Sequence, residues 1–254
     1  MTDLSISNLS LAMTGFLIVI ALIIDYKEKL ELGKDILIAS VRAVIQLFII
    51  GYVLGYIFEL DNIIVTSTMV LFIITNAAYH ASLRANKIKH AFKISLAAIG
   101  VGTLVSLLVL LLSGALKWTP SQVVPITGML ASSAMTAIGV GYRTMHSKYT
   151  DQRQQVLERL ALGATASQAS KTIIRESIKS ALAPSIDSTK TVGLVSLPGM
   201  MSGLMFAGVN PTEAIRYQIV VMFMMIATTA FSTMISSYLA YRSYFNDQTQ
   251  LISH

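Results

Sequence analysis

The sequence predicts an all-α, polytopic membrane protein with about seven transmembrane helices, and three observations carry that prediction. Of 254 residues, 54% are hydrophobic and only 13% are charged, where a soluble domain carries about 25% charged residues. The mean hydropathy is +0.66, and the charges fall in clumps between long apolar stretches. Lysine and arginine alternate between rich and poor connections, as the positive-inside rule requires of a multi-pass chain. A soluble enzyme, a disordered chain and a collagen-like repeat are thereby excluded. The absence of cysteine removes a disulfide scaffold, thiolate metal sites and iron–sulfur ligation.

A membrane-crossing helix needs about 20 predominantly apolar residues, because each adds about 1.5 Å across a hydrocarbon core about 30 Å thick. Seven stretches qualify or come close: 9–24, 36–58, 63–81, 94–116, 123–140, 185–207 and 218–241. The first is short, with a start that could extend back to Leu4. No charged region precedes it and no cleavage site follows, so it reads as an anchor and not a removed signal.

The connections orient the chain. Lys27, Lys29 and Lys34 lie in the first, Arg84, Lys87, Lys89 and Lys93 in the third, and Arg143, Lys148, Arg153, Arg159, Lys171, Arg175 and Lys179 in the fifth, with Arg242 in the tail. The second has none, the fourth only Lys117 and the sixth only Arg216. Fifteen of the nineteen basic residues therefore define one side as cytoplasmic, two lie outside, and Arg42 and Lys190 fall within spans. This places the N-terminus outside and the C-terminus inside. The net charge of +6 is spread over loops with no aromatic stacking surface, which argues against nucleic acid as a partner and for membrane lipid.

The whole chain reads as one transmembrane domain, 1–254, interrupted by a cytoplasmic loop over 142–180, counted generously from Gly141. A connection that long is usually functional. Within it, a short helical stretch from Leu157 to Leu162 is closed by Gly163, suited to a left-handed helix end. A second helix starts at Thr165, whose spacing to Gln168 fits a capping box, and Ala166, Ala169, Ile173 and Ile178 continue it as one apolar stripe. Two amphipathic helices broken at Gly163-Ala164-Thr165 could lie on the membrane surface. They could equally form a protein-docking helix-turn-helix that transmits a partner's motion. The chain contains no phosphate-binding loop, so ATP and Mg, if they power it, act through a partner subunit.

Here a resemblance enters. Glu158-Arg-Leu-Ala-Leu-Gly163-Ala-Thr resembles the Glu-Ala-Ala loop by which permeases of ATP-binding-cassette transporters contact their ATPases. It differs in that the acidic residue stands five positions before Gly163 instead of six, and Arg175-Glu176 replaces the usual closing Leu-Pro. Together with Asp187-Ser-Thr-Lys-Thr-Val-Gly193, the run from Leu194 through Pro198-Gly199-Met200 to Gly208, Arg42-Ala-Val-Ile-Gln46 and Val124-Pro125-Ile-Thr-Gly-Met129, it resembles the FetB-type permease family over nearly the whole chain. The resemblance implies a homodimeric permease in the inner membrane, iron export or metal resistance as the activity, and a FetA-type cytoplasmic ATPase as partner. It also implies that Leu157, Glu158, Leu160, Gly163, Ala164, Thr165 and Gln168 form the ATPase-coupling segment. Plant relatives in this family are linked to aluminium tolerance and nucleotide-sugar transport.

Charged groups within a span cost about 2.5–3.5 kcal/mol each on insertion scales, so Arg42, Asp187 and Lys190 need partners or water. Both Arg42 and Asp187 sit about 10 Å inside the cytoplasmic face, counting about 1.5 Å per residue, which allows them to pair; Lys190, at i+3, competes for the same carboxylate. The group is either a structural ion pair or a gate. Gln46 follows Arg42 by one turn, and Asn76, Tyr79 and His80 stand near the cytoplasmic end of the third span. The sixth span should kink or break at Pro198-Gly199, with Gly203 and Gly208 as points of close helix approach, and Pro125 with Gly128 repeats this more mildly in the fifth. Pro125, Gly128, Pro198, Gly199, Met200 and Gly203 are therefore candidates for the transport pathway, ordinary small-residue packing being the alternative.

The chain has 13 methionines, and Met129, Met135, Met200, Met201, Met205, Met222, Met224 and Met225 are concentrated in the last three spans. Thioethers suit Cu(I) but also fill helix interfaces. No span carries two carboxylates or histidines at helical spacing, so no preformed metal cage is visible; His90 and His146 fall in basic loops where solvation is expected, and His254 is terminal. The sequence thus points to a transport subunit without catalytic residues or a cofactor of its own. An ion-coupled secondary transporter using Asp187 and Lys190, or a cassette permease for a non-metal solute such as a sugar nucleotide, are the alternatives; an intramembrane enzyme is disfavoured, with no catalytic pair in sight.

Overall fold

A computed structural model describes residues 8–60, 62–85, 87–195, 197–246 and 248–252, and these are helical almost throughout. The expected first span is two helices, α1 (Asn8–Thr14) and α2 (Phe16–Glu28), followed by α3 (Gly33–Leu60). Then come α4 (Ile63–Ser82), α5 (Ala91–Leu112), α6 (Pro120–Asp151), α7 (Arg153–Ala161), α8 (Ala166–Thr191), α9 (Gly199–Phe206) and α10 (Pro211–Ala240), with a short 3-10 turn at Tyr241–Tyr244. Among the described residues no strand is present, and Phe245 and Leu251 form an isolated β-bridge. Leu4, Ser196 and His254 lie outside the described residues. Among the described residues five helices, α3, α4, α5, α6 and α10, are long and apolar enough to cross a membrane.

The chain divides into two compact units, Met1–Asp61 and Asn62–His254. In the first, α2 turns into α3 around Asp25. Its carboxylate accepts the backbone N–H of Leu32 at 2.8 Å, and a side chain at Gly33 would run into that same carboxylate. The turn therefore needs both a short acceptor and a glycine, and Lys29 caps α2 in the left-handed conformation at φ 52°.

In the second unit the core is built from small residues, because helices in lipid gain little from apolar burial against one another and rely on close packing and interhelical hydrogen bonds. Ala77, Ala78 and Ala81 of α4, Ala98 and Leu107 of α5, and Ala131, Ala134 and Ile138 of α6 are buried. α10 turns a hydroxyl-rich face inward: Thr228, Thr229, Ser232, Thr233, Ser236 and Ser237 are all buried. Two of these grip α5. The Ser106 and Thr228 hydroxyls share a hydrogen bond of 2.6 Å, and Ser232 Oγ donates to the Ala98 carbonyl at 3.0 Å. Gly102 makes this approach possible, since a Cβ there would meet the Thr228 carbonyl oxygen at 3.1 Å and collide with Ser232 Oγ.

Two expectations are corrected. The polar stretch over 142–180 holds the two helices expected on either side of Gly163-Ala164-Thr165, α7 and α8, but little of it is irregular: α6 runs unbroken to Asp151, and only a one-residue junction and a four-residue turn separate the three helices. The expected span over 185–207 is not one helix. α8 ends at Thr191, Gly193 takes a left-handed φ of +81°, and Pro198, which lacks an amide N–H, caps the eight-residue α9. The break expected at Pro198-Gly199 is present and wider than a kink, because residues before proline favour extended backbone. Pro184, by contrast, is accommodated inside α8, as Pro125 is inside α6.

Candidate functional site

Three helices of the second unit line an open cleft whose walls mix hydroxyl and amide groups with a larger apolar surface. Its volume is about 370 Å³, and it is lined by Ser132, Ser133, Thr136, Ala137 and Val140 of α6, Ala181, Pro184, Ser185, Ser188 and Thr189 of α8, and Gln218, Met222, Met225 and Ile226 of α10, with Val192 and Pro198 from the broken segment. Each set follows from helical spacing. Positions 132, 133 and 136, then 181, 184, 185 and 188, then 218, 222 and 225 recur at three or four residues and so share one face of their helix. Gln218 is only 7% exposed, and its Oε1 is buried without a hydrogen-bond partner. Ser133 Oγ donates to the Met129 carbonyl at 2.9 Å and Thr189 Oγ1 to the Ser185 carbonyl at 2.8 Å.

A second cavity, of about 430 Å³, lies between α5, α6, α9 and α10 and is mainly apolar; Pro125, Met129, Met200, Leu204, Tyr217 and Met224 are among its lining residues. The pathway candidates thus separate. Pro198 lines the first cleft, whereas Pro125 and Met200 meet in the apolar cavity. Gly128, Gly199 and Gly203 have open space where a side chain would stand, as does Gly208, so the close approach expected at Gly203 and Gly208 is not there. It occurs instead at Gly102 and at Gly139, against which the Arg84 side chain lies. The methionines divide too, Met225 facing the first cleft and its neighbour Met224 the apolar cavity, as successive residues on a helix must.

Asp187 and Lys190 pair with each other on the surface of α8 at 3.4 Å, each about 70% exposed, and neither lines the cavity. Arg42 and Gln46 stand one turn apart on α3, in the other unit. Asn76 is exposed on α4, where the neighbouring Tyr79 ring stands edge-on to His80 at 5.7 Å. Among the described residues, no group of three or more His, Asp or Glu could hold a metal ion.

The basic segment over 142–180 forms a platform in which α6, α7 and α8 are tied together by side chains. The capping box at Thr165 forms as expected, with the Gln168 amide donating to Thr165 Oγ1 at 3.3 Å and the Thr165 amide donating to Gln168 Oε1 at 2.9 Å. Gly163 closes α7 at φ +88°, and the amides of Gly163 and Ala164 return to the carbonyls of Leu160 and Arg159 at 3.0 Å each, a Schellman turn. Arg159 Nη1 donates to the Ala169 carbonyl and to Thr172 Oγ1, at 3.2 and 3.1 Å, clasping α7 to α8. The Tyr149 hydroxyl donates to Ser170 Oγ at 2.6 Å, tying α6 to α8. Lys148 and Glu176 form an ion pair at 3.0 Å across the same helices, with Gln152 Nε2 donating to that carboxylate at 3.3 Å. The hydrogen bond from Lys148 is the main reason that the Glu176 carboxyl titrates below its ordinary value.

This geometry sorts the expected coupling residues. Leu157, Glu158, Gly163, Thr165 and Gln168 are exposed, and Ala164 is half-buried. Leu160 packs inward against the core, and the tip of the turn is Leu162, 88% exposed. His146 is half-buried, with its Nδ1 buried and without a partner beside Tyr149, Arg153 and Tyr244 in a pocket of about 50 Å³. There the chain end straps onto the platform. Tyr244 stacks on Tyr149 with ring centres 4.0 Å apart, and Arg153 Nη1 donates to the Ile252 carbonyl at 3.4 Å.

Long apolar helices joined to the more hydrophilic helix pair α7–α8 define a multi-pass helical membrane protein. The chain belongs to the UPF0014 family: the model described as "Uncharacterised protein family (UPF0014)" matches residues 8–245. It is similar to the "Probable iron export permease protein FetB" of Escherichia coli (strain K12), 51% identical over 252 residues, covering 99% of this chain and 97% of that one. It is 36% identical over 237 residues to "Protein ALUMINUM SENSITIVE 3" of Arabidopsis thaliana, covering 93% and 87% of the two chains. It is also 34% identical over 243 residues to "UPF0014 membrane protein YjkA" of Bacillus subtilis (strain 168), covering 96% and 97%. No solved structure matches it.

Sequence reasoning missed most of the cleft. The signal was present as serine and threonine recurring at three- and four-residue spacing on 132–136 and 185–189, opposite Gln218. Hydropathy averaging hides such residues, because serine and threonine barely depress a span's score.

Proposed function

We propose that the chain is the permease subunit of an ATP-binding-cassette transporter that exports iron or a related metal ion, powered by a separate cytoplasmic ATPase of the FetA type that binds ATP and Mg. The observation that carries this reading is the continuity between platform and cavity. The exposed Leu162-Gly163 tip is held to α8 through Arg159, and α8 continues as one helix from Thr165 to the cavity residues Ser185, Ser188 and Thr189. A push on the tip moves one wall of the cavity as a rigid body. The FetB likeness supplies iron as the cargo, and the discontinuous α8–α9 segment resembles the broken helices that build substrate sites in transporters. On this reading the protein is a homodimer in the inner membrane, with the N-terminus outside and the C-terminus cytoplasmic. Seven passes follow if α1–α2 and α8–α9 serve as the first and sixth.

Asp187 and Lys190, exposed and paired along one helix, offer little to the alternative of a proton-coupled secondary transporter. Whether Arg42 exchanges with Lys190 as a gate on Asp187 is a further part of the proposal. The test is co-purification with the ATPase. Leu162→Asp should abolish it while the permease still folds, because Leu162 is surface-exposed; Leu160→Asp should disturb folding itself. Retained ATPase binding by the Leu162 variant would refute the docking assignment.

A further inference from the structure

Where α4 ends beside α6, positive charge stands without a counter-charge. Arg84 follows the last turn of α4, and its stem lies along α6 at Gly139: a Cβ there would collide with Arg84 Cδ and stand 3.1 Å from Nη1. The missing side chain at 139 is the seat of the arginine, which is half-buried. Arg143, exposed, follows Gly139 by four residues on α6, so it stands about one turn further along the same face. Among the described residues neither guanidinium has a hydrogen bond or an ion pair. The carboxylates of this unit are engaged elsewhere: Glu176 with Lys148, Asp187 with Lys190, Glu213 with Arg216, Asp151 with Ser147 and Glu158 with Gln154.

The level of these charges selects their partner. The apolar run of α4 ends at Ser82, just before Arg84. The outward surface leading up to it is of the kind that faces lipid, with Leu83 63% and Tyr79 55% exposed, tyrosine being a residue of the membrane interface. The end of α6 at Asp151 is twelve residues beyond Gly139, about 18 Å of helix, so a protein seated on the Leu162 tip meets a different level of the molecule. What stands where apolar helix surface gives way to charge is the phosphate of a phospholipid, and a guanidinium binds phosphate oxygens two at a time. Phosphatidylcholine balances that phosphate with its own ammonium group. An anionic phospholipid does not, and so complements two unneutralised arginines.

We propose that Arg84 and Arg143 bind the phosphate of an anionic phospholipid where α4 meets α6, and that Gly139 positions Arg84 to do so. This site is independent of the cargo and of the ATPase partner.

The test titrates the full-length chain in mild detergent with phosphatidylglycerol or phosphatidylcholine and counts bound lipid by native mass spectrometry. The native chain should retain phosphatidylglycerol in preference to phosphatidylcholine. Arg84→Gln and Arg143→Gln should each weaken phosphatidylglycerol binding by about fivefold or more, the worth of one basic residue at an anionic surface. Gly139→Ala leaves every charge in place but fills the seat of the Arg84 stem. It should weaken binding too, and the double variant should bind no worse than Arg84→Gln alone. Arg216→Gln removes the same unit of charge from a residue already paired with Glu213 and should change nothing, which separates a site from overall charge. Equal lipid binding by the native chain and the Arg84 and Arg143 variants, or the same loss from Arg216→Gln, would overturn the proposal. So would displacement of the lipid by inorganic phosphate or by polyglutamate, which would assign the arginines to a free anion or to an acidic protein.

Discussion

Substituting Gly102 by alanine places one methyl group where α5 and α10 are closest. Two atoms receive it. Ser232 Oγ can rotate away only by giving up its 3.0 Å bond to the Ala98 carbonyl. The Thr228 carbonyl oxygen, 3.1 Å from the new carbon, belongs to the backbone and can retreat only if α10 shifts. Overpacking of this kind costs about 1–3 kcal/mol, and an interhelical hydrogen bond in membrane proteins contributes about 0.6 kcal/mol on average. Together they predict a loss of about 1.5–3.5 kcal/mol. Gly203→Ala is the matched control: it also adds a methyl to a helix, but into open space, and should be neutral or stabilise by up to about 1 kcal/mol through the lower entropy of the unfolded chain. Reversible unfolding in mixed micelles, read by near-ultraviolet circular dichroism, measures both. Equal stability of the two variants, or greater damage from Gly203→Ala, would refute the packing argument.

Tyr149→Phe removes the hydroxyl that Ser170 accepts from at 2.6 Å while keeping the stack on Tyr244; because Ser170 is fully buried, a loss of about 1–2 kcal/mol is expected in the same assay. Arg159→Met frees α7 from the Ala169 carbonyl and Thr172, so amides over 153–161 should exchange faster with deuterium while those of α5 stay protected. Glu176 titrates below its ordinary value of 4.5 because of Lys148. A carboxyl with a lowered folded-state pKa contributes stability that is present above the unfolded pKa and lost as pH falls through the folded one. Lowering the pH below 4.5 should therefore reduce the stability of the native chain more than that of Glu176→Gln, and parallel pH profiles would contradict the pairing.

What was legible in the sequence was what depends on short windows. The spans at 36–58, 63–81 and 94–116 lie within four residues of α3, α4 and α5 at each end, since long apolar runs have no other way to satisfy their backbone in a bilayer. The capping box at Thr165 and the left-handed Gly163 were legible for the same local reason. The sixth span was not, because an average over 185–207 passes across Gly193 and Pro198 and reports their apolar neighbours. That error hid where α8 ends, at Thr191, and where α9 begins. Leu160 and Leu162 look alike as residues; which of them faces out depends on how α7 sits on α8, and that is set by Arg159 and Val156, fixed only in the folded chain.

The central claim is that the cavity bordered by Thr136 and Ser188 is the route of an ATP-driven metal export. The chain contains no cysteine, so Thr136→Cys or Ser188→Cys introduces the only thiol. Vesicles holding the permease and its ATPase are treated with a charged methanethiosulfonate, and ATP-dependent iron movement is followed, with Phe231→Cys as a control on the exposed side of α10. Loss of transport at 136 and 188, slowed by iron, with transport retained at 231, is the result expected. Full transport after complete labelling at 136 and 188 would contradict the claim.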